Sequence, residues 1–160
     1  EDFDYHAVRA LRRQIMEAYI DENGVEAKAG LLPMLRELKQ MGLRIGLATA
    51  TPEARARKYL RMVGAEAAFD AVACAEMVAH GKPAPDVYLL AARKLNLPPR
   101  VLLGVEDSPS GVQSAHAAGM TVAMVPDQDQ PSVEIAALCA LVAPSLAGIA
   151  PFVKESLRRL

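Results

Sequence analysis

Cysteine and net charge are both scarce in this sequence, and each scarcity argues against a class of protein. Cys74 and Cys139 are the only cysteines among 160 residues; they lie in apolar surroundings and lack CxxC spacing. This argues against a disulfide framework or a zinc site and predicts two intracellular thiols that behave as small hydrophobes. Basic residues number 18 and acidic ones 19, leaving a net charge of −1. Nothing here forms an electrostatic footprint for nucleic acid or for an anionic membrane, so any anion has to be caught locally. No N-terminal signal pattern is present. The long apolar tract over 133–153 is interrupted by Glu134, Pro144, Gly148 and Pro151, which argue against a membrane span. A cytoplasmic location is the expectation.

What is present is apolar periodicity that changes along the chain. Over 5–19, Val8, Leu11, Ile15 and Tyr19 fall on one face of a helix, while Arg9, Arg12, Arg13 and Glu17 lie mostly off it as a solvated face. Asp2 or Asp4 is expected to cap this helix, and Asn23-Gly24 to end it. A second helix over 31–41 carries Leu31, Leu35 and Leu38, with Gly42 at its end. The run over 43–48 is nearly continuous in apolar residues, as expected of a strand buried on both faces of a parallel sheet. Thr51-Pro52-Glu53 then predicts a helix start with Thr51 as hydroxyl cap, running to about Gly64. A weaker strand over 72–74, a helix over 85–95, a strand over 101–105, a helix over 109–118 and a strand over 121–125 follow. A polar loop over 126–131 leads to a small C-terminal unit. This alternation predicts an α/β fold, a parallel sheet with helices on both faces and ligands at the carboxyl ends of its strands.

The strand ends therefore direct the search for chemistry. After the first strand come Thr49, Ala50 and Thr51; after the second, His80, Gly81 and Lys82; after the third, Glu106 and Asp107. A hydroxyl and the free amides of a helix start donate to phosphate oxygens, lysine neutralises charge, and adjacent carboxylates suit Mg²⁺. Such a set serves phosphoryl transfer by positioning and electrostatic stabilisation. A covalent step would need a further nucleophile. Taken singly these residues have plainer readings: Thr49 ends a strand, Lys82 sits in a solvated loop, and Glu106-Asp107 begins a helix. His80 reads as a loop residue and His116 as a helix residue, neither with a catalytic role.

Three segments in order carry a family resemblance. Gly46-Leu47-Ala48-Thr49-Ala50-Thr51 resembles the second motif of the haloacid dehalogenase superfamily. Gly81-Lys82-Pro83-Ala84-Pro85-Asp86-Val87-Tyr88 looks like its third motif in sugar-phosphate phosphatases and β-phosphoglucomutase. Gly104-Val105-Glu106-Asp107-Ser108-Pro109-Ser110-Gly111 looks like the fourth. The resemblance implies a Rossmann-like three-layer core and a Mg²⁺-dependent phosphohydrolase acting on a small phosphorylated metabolite through an aspartyl-phosphate. It implies that Thr49 and the Ala50 amide hold phosphoryl oxygens and that Lys82 neutralises nucleophile and phosphate. Asp107 would bind Mg²⁺, and Glu106 would do so directly or through water.

The family's first motif, a strand ending in Asp-x-Asp, has no counterpart here. Glu1-Asp2-Phe3-Asp4 has the spacing but no strand before it. The helix over 5–19 instead resembles the end of a helical cap. The expected division is thus 1–24 as the C-terminal part of a cap and 25–160 as a core lacking its nucleophile strand. The missing strand belongs between those ending at Thr49 and Glu106, and a preceding segment or another chain would have to complete the sheet. The 160-residue chain alone is expected to be inactive. A phosphosugar mutase and a non-catalytic binding module of the same fold stay open as alternatives. A phospho-accepting receiver does not fit the chain order, because its acidic pair would precede the Thr and Lys.

Overall fold

The structure, a computed structural model, describes residues 4–127 and 130–159, with every side chain of the first helix except that of Arg9. The alternative cap Asp2, the carboxylate of Glu1, the part of Arg9 in a solvated face, and Gln128 and Asp129 of the polar loop lie outside the described residues. In chain order the elements are α1 (Tyr5–Asn23), α2 (Leu31–Gln40), β1 (Gly46–Thr49), α3 (Glu53–Met62), β2 (Ala71–Cys74), α4 (Asp86–Leu95), β3 (Leu103–Glu106), α5 (Pro109–Ala117), β4 (Thr121–Met124), α6 (Val133–Ala137), β5 (Leu141–Val142) and α7 (Ile149–Leu157). All strand pairings are parallel. β1 pairs with β2, and β3, β4 and β5 pair in that order.

Strand residues alternate between two apolar clusters, because successive side chains of a strand leave on opposite faces. Val122 and Met124 join a cluster built with α4 and α5, while Ala123 and Val125 join one built with α2 and α7. Helices thus cover both faces, which is the α/β architecture expected. The 72–74 strand, weak by sequence, is buried throughout as part of β2. Cys74 lies fully buried there, and both cysteines are free.

The sheet is interrupted between β1 and β3. Those two strands do not pair, and among the described residues no strand lies between them. Burial follows the interruption: β2 and most of β4 are buried, whereas every residue of β1 is only half-buried and Val105 of β3 is 36% exposed. Unpaired edge groups need other partners. The Lys82 ammonium supplies one, donating to the Ala48 carbonyl at 3.2 Å.

Several boundaries differ from the sequence expectation, each for a local reason. β1 starts at Gly46 rather than Leu43: the Asp70 carboxylate accepts from the Ile45 amide at 2.7 Å, the Asp70 amide donates back to Ile45 at 2.7 Å, and Leu43 closes α2 by donating to Leu38. Thr51 does not cap α3. Pro52 occupies that position without a side-chain cap, and the Glu53 amide donates to Glu76 Oε1 at 2.9 Å. β3 starts two residues after Val101, which closes a 3-10 turn opened by Pro99 and is 60% exposed. The C-terminal segment is no separate unit, since β5 extends the sheet and α7 packs near α2 in one apolar cluster.

Asp4 caps α1, accepting from the His6 and Ala7 amides at 2.9 Å. The helix ends at Gly24, whose φ of 77° an L side chain would resist. Its apolar side stays open, with Leu11 58% and Ile15 62% exposed. Ion pairs of Glu17 with Arg55 and of Asp21 with Lys58 hold it to α3. Among the described residues, no helix is long and apolar enough to cross a membrane.

Candidate active site

A cavity of about 290 Å³ opens where the sheet is interrupted, at the carboxyl ends of β1 and β3. Thr49 and Ala50 line it from β1, Glu106 and Asp107 from β3, and Lys82 from the loop after β2. The five residues given a site role from the sequence therefore meet at one space, whereas the other strand-end residues Thr51, His80 and Gly81 do not line it. Leu47, Val105 and Val125 form apolar wall, and Lys28 adds a second cation.

Thr49, Lys82 and Glu106 each have an identifiable restraint. Thr49 Oγ1 accepts from the Thr51 amide at 3.0 Å, which fixes the oxygen and leaves its proton for an anion. Lys82 rides on a loop tied at two points. The Ser114 hydroxyl, fully buried, donates to the Ala84 carbonyl at 2.6 Å, and Asp86 Oδ2 accepts from the His80 amide at 3.2 Å and lies 3.1 Å from His80 Nδ1. The Lys82–Pro83 peptide bond in this loop is cis.

Glu106 is the one buried charged group on the cavity, 8% exposed. Its Oε1 accepts from both the Lys82 ammonium and the Tyr88 hydroxyl. Its Oε2 lies 3.3 Å from the Asp107 amide and 3.4 Å from Ser108 Oγ. Burial, followed by the charge of Glu106, pushes the Tyr88 phenol far above its usual range. Tyr88 is thus a neutral donor at all working pH values. Asp107 differs in being exposed, with no hydrogen bond or ion pair to its side chain among the described residues.

Mg²⁺ favours hard carboxylate oxygens and often takes only one or two, completing its shell with water and substrate phosphate. Asp107 fits that requirement, with Glu106 beside it. Among the described residues no cluster of three or more His, Cys, Asp or Glu groups stands ready for a metal.

Sequence reasoning missed Lys28, Tyr88 and Ser114. Lys28 Nζ donates to Asp127 Oδ1 at 3.0 Å and approaches the Val125 carbonyl at 3.4 Å, partners 97 and more residues away that no local pattern could reveal. Tyr88 stood inside a quoted motif, but its apolar body on the buried face of α4 hides the task of its hydroxyl.

The chain matches the family model described as haloacid dehalogenase-like hydrolase over residues 1–119. It is 36% identical over 151 residues to hexitol phosphatase B of Escherichia coli K12, covering 86% of this chain and 68% of that one. It is 41% identical over 108 residues to the protein CbbY of Rhodobacter capsulatus, covering 63% of this chain and 48% of that one. Two crystal structures of CbbY from Rhodobacter sphaeroides, one with phosphate and one of a variant with xylulose-(1,5)bisphosphate, superpose with a TM-score of 0.76 at 26% identity. Each superposition covers 92% of this chain and 66% of the other. The chain spans about half to two thirds of the length of these relatives.

Proposed function

The chain belongs to the haloacid dehalogenase-like hydrolases, and on that premise we propose that it is the larger part of a phosphohydrolase for a small phosphorylated metabolite such as a sugar phosphate. One observation carries the reading: Thr49, Lys82 and the Glu106-Asp107 pair, from three separate strand ends, line one cavity of about 290 Å³. The relatives named hexitol phosphatase B and the CbbY complex with a sugar bisphosphate support the substrate class.

In this reading the Thr49 hydroxyl and Ala50 amide donate to the non-bridging phosphoryl oxygens. Lys82 offsets their charge, and the Coulombic gain grows as the cavity excludes water. Asp107 would hold Mg²⁺, with Glu106 assisting, and a bound Mg²⁺ would lower the cost of charge developing on the phosphoryl group. The covalent step falls to an aspartate that these 160 residues do not contribute. Its carboxylate forms a bond to phosphorus as the ester oxygen departs, and water then hydrolyses the acyl phosphate, releasing phosphate and the free carboxylate.

The half-buried β1 and the exposed Val105 of β3 support a further strand between them, from a preceding segment or another chain. The break at Gly24 and the open apolar side of α1 support 1–24 as the end of a cap and 25–160 as the core. A cytoplasmic setting suits the free thiols of Cys74 and Cys139.

The test is phosphate release from a panel of sugar and nucleoside monophosphates with Mg²⁺, run on the 160-residue chain and on the full gene product. Turnover is expected only from the full product and only with Mg²⁺. Turnover by the shorter chain that disappears in Lys82→Ala would overturn the assignment of the nucleophile.

A further inference from the structure

Tyr88 sits beneath the cavity floor and touches two of its charged groups at once. Its hydroxyl donates to Glu106 Oε1, the same oxygen that receives the Lys82 ammonium, and that ammonium lies 5.1 Å from the centre of the Tyr88 ring. The phenol is itself confined. Tyr88 is 6% exposed, and Gly104 of β3 lies close to its Cε1, so that a β-carbon there would sit 3.6 Å from the ring.

Resting on the phosphohydrolase reading, we propose that Tyr88 is a positioning residue for Lys82, acting through the shared Glu106 oxygen and through its ring face. An ammonium has three N–H donors and no acceptor. In this site one is directed to Glu106 Oε1 and one to the Ala48 carbonyl at 3.2 Å. The ring bounds the ammonium on a further side, where cation–π attraction holds it toward the ring face. The third N–H is left to face the cavity, where a phosphoryl oxygen would sit. Without the hydroxyl, Glu106 Oε1 loses one of its two donors, and its hold on Lys82 loosens. Without the ring, the ammonium loses its floor as well.

The experiment uses the full gene product and two variants, Tyr88→Phe, which removes only the hydroxyl, and Tyr88→Leu, which removes the ring too. Lysine acetylation is followed residue by residue by mass spectrometry, with Lys39, paired to Asp70 at 2.9 Å, as internal control. Lys82 is expected to react about threefold faster or more in Tyr88→Phe and faster again in Tyr88→Leu, with Lys39 unchanged, because a restraint of hydrogen-bond size has been lost. In steady-state kinetics kcat is expected to fall about tenfold in Tyr88→Phe while KM stays within about twofold, the signature of an interaction that matters at the transition state. Equal Lys82 reactivity in all three proteins, or an unchanged kcat in Tyr88→Phe, would overturn the inference. A wild-type gene product that hydrolyses no phosphate ester would instead overturn the phosphohydrolase reading, and the labelling comparison would still decide the role of Tyr88.

Discussion

Gly111 and the carboxylate of Glu106 adjoin so closely that no methyl group fits between them: a β-carbon on Gly111 would overlap Glu106 Cδ and both carboxylate oxygens. The contact follows from the turn after β3. Ser108 caps α5 by accepting from the Gly111 amide at 3.2 Å, which draws the first turn of the helix over the carboxylate. Gly111→Ala should therefore displace Glu106 and, through it, Lys82. The expected cost is about 1–3 kcal/mol, the usual range for overpacking a filled site. Urea unfolding measures it, and an unchanged midpoint would show that the carboxylate moves aside freely.

Lys82 and Glu106 are both largely withdrawn from water, with side chains 16% and 6% exposed. Removing one partner of such a pair leaves a buried charge, so Lys82→Met should cost roughly 3 kcal/mol. In the full gene product, adding Glu106→Gln should recover part of that stability while any phosphate release stays lost, because the missing carboxylate needs no counter-ion but the substrate still does. A double-mutant cycle in urea, with activity assayed in parallel, separates the two effects.

Asp107 offers the opposite case. Its exposed side chain takes no part in the packing, so Asp107→Asn should change stability by less than about 0.5 kcal/mol. In the full gene product the same change should weaken Mn²⁺ binding, read by electron paramagnetic resonance, and lower kcat/KM about a hundredfold, since the metal would lose a charged ligand. Undiminished Mn²⁺ affinity would remove Asp107 from the metal site.

Asp70 sets an acid limit on stability. The Ile45 amide first, and then the Lys39 ammonium, hold its carboxyl below the ordinary carboxylate range. A group whose pKa is lower in the folded state stabilises that state fully above its unfolded pKa of about 3.9 and ceases to do so as pH falls through the folded value. Asp70→Asn should accordingly lower the urea midpoint at neutral pH, with the difference from wild type shrinking below about pH 4. A difference that stays constant into acid would mean that packing, and not charge, carries the contribution.

The fold was largely legible because its strongest signals are local. Helix periodicity placed α1, α2, α4 and α5, and short apolar runs placed β1 to β4, since strands of a parallel sheet lie between helix layers and carry apolar residues at successive positions. Boundaries moved where a distant group took over a backbone partner. The Asp70 carboxylate replaces the ladder at Ile45, and Glu76 receives the amide that Thr51 was expected to cap. β5 was not legible, because two residues within a broken apolar tract carry no period of their own.

Four polar side chains and the Ala50 amide at strand ends could be named from the chain alone, because parallel topology puts strand ends on one side and phosphate chemistry uses few residue types. Which of them are buried, which face each other and what braces them depended on packing. Glu106 and Asp107 are neighbours in sequence, yet successive residues leaving a strand point to opposite sides, so one enters the Lys82–Tyr88 contact and the other meets solvent. That division, with Lys28 arriving from a remote loop, arises only when distant segments close around one interrupted sheet.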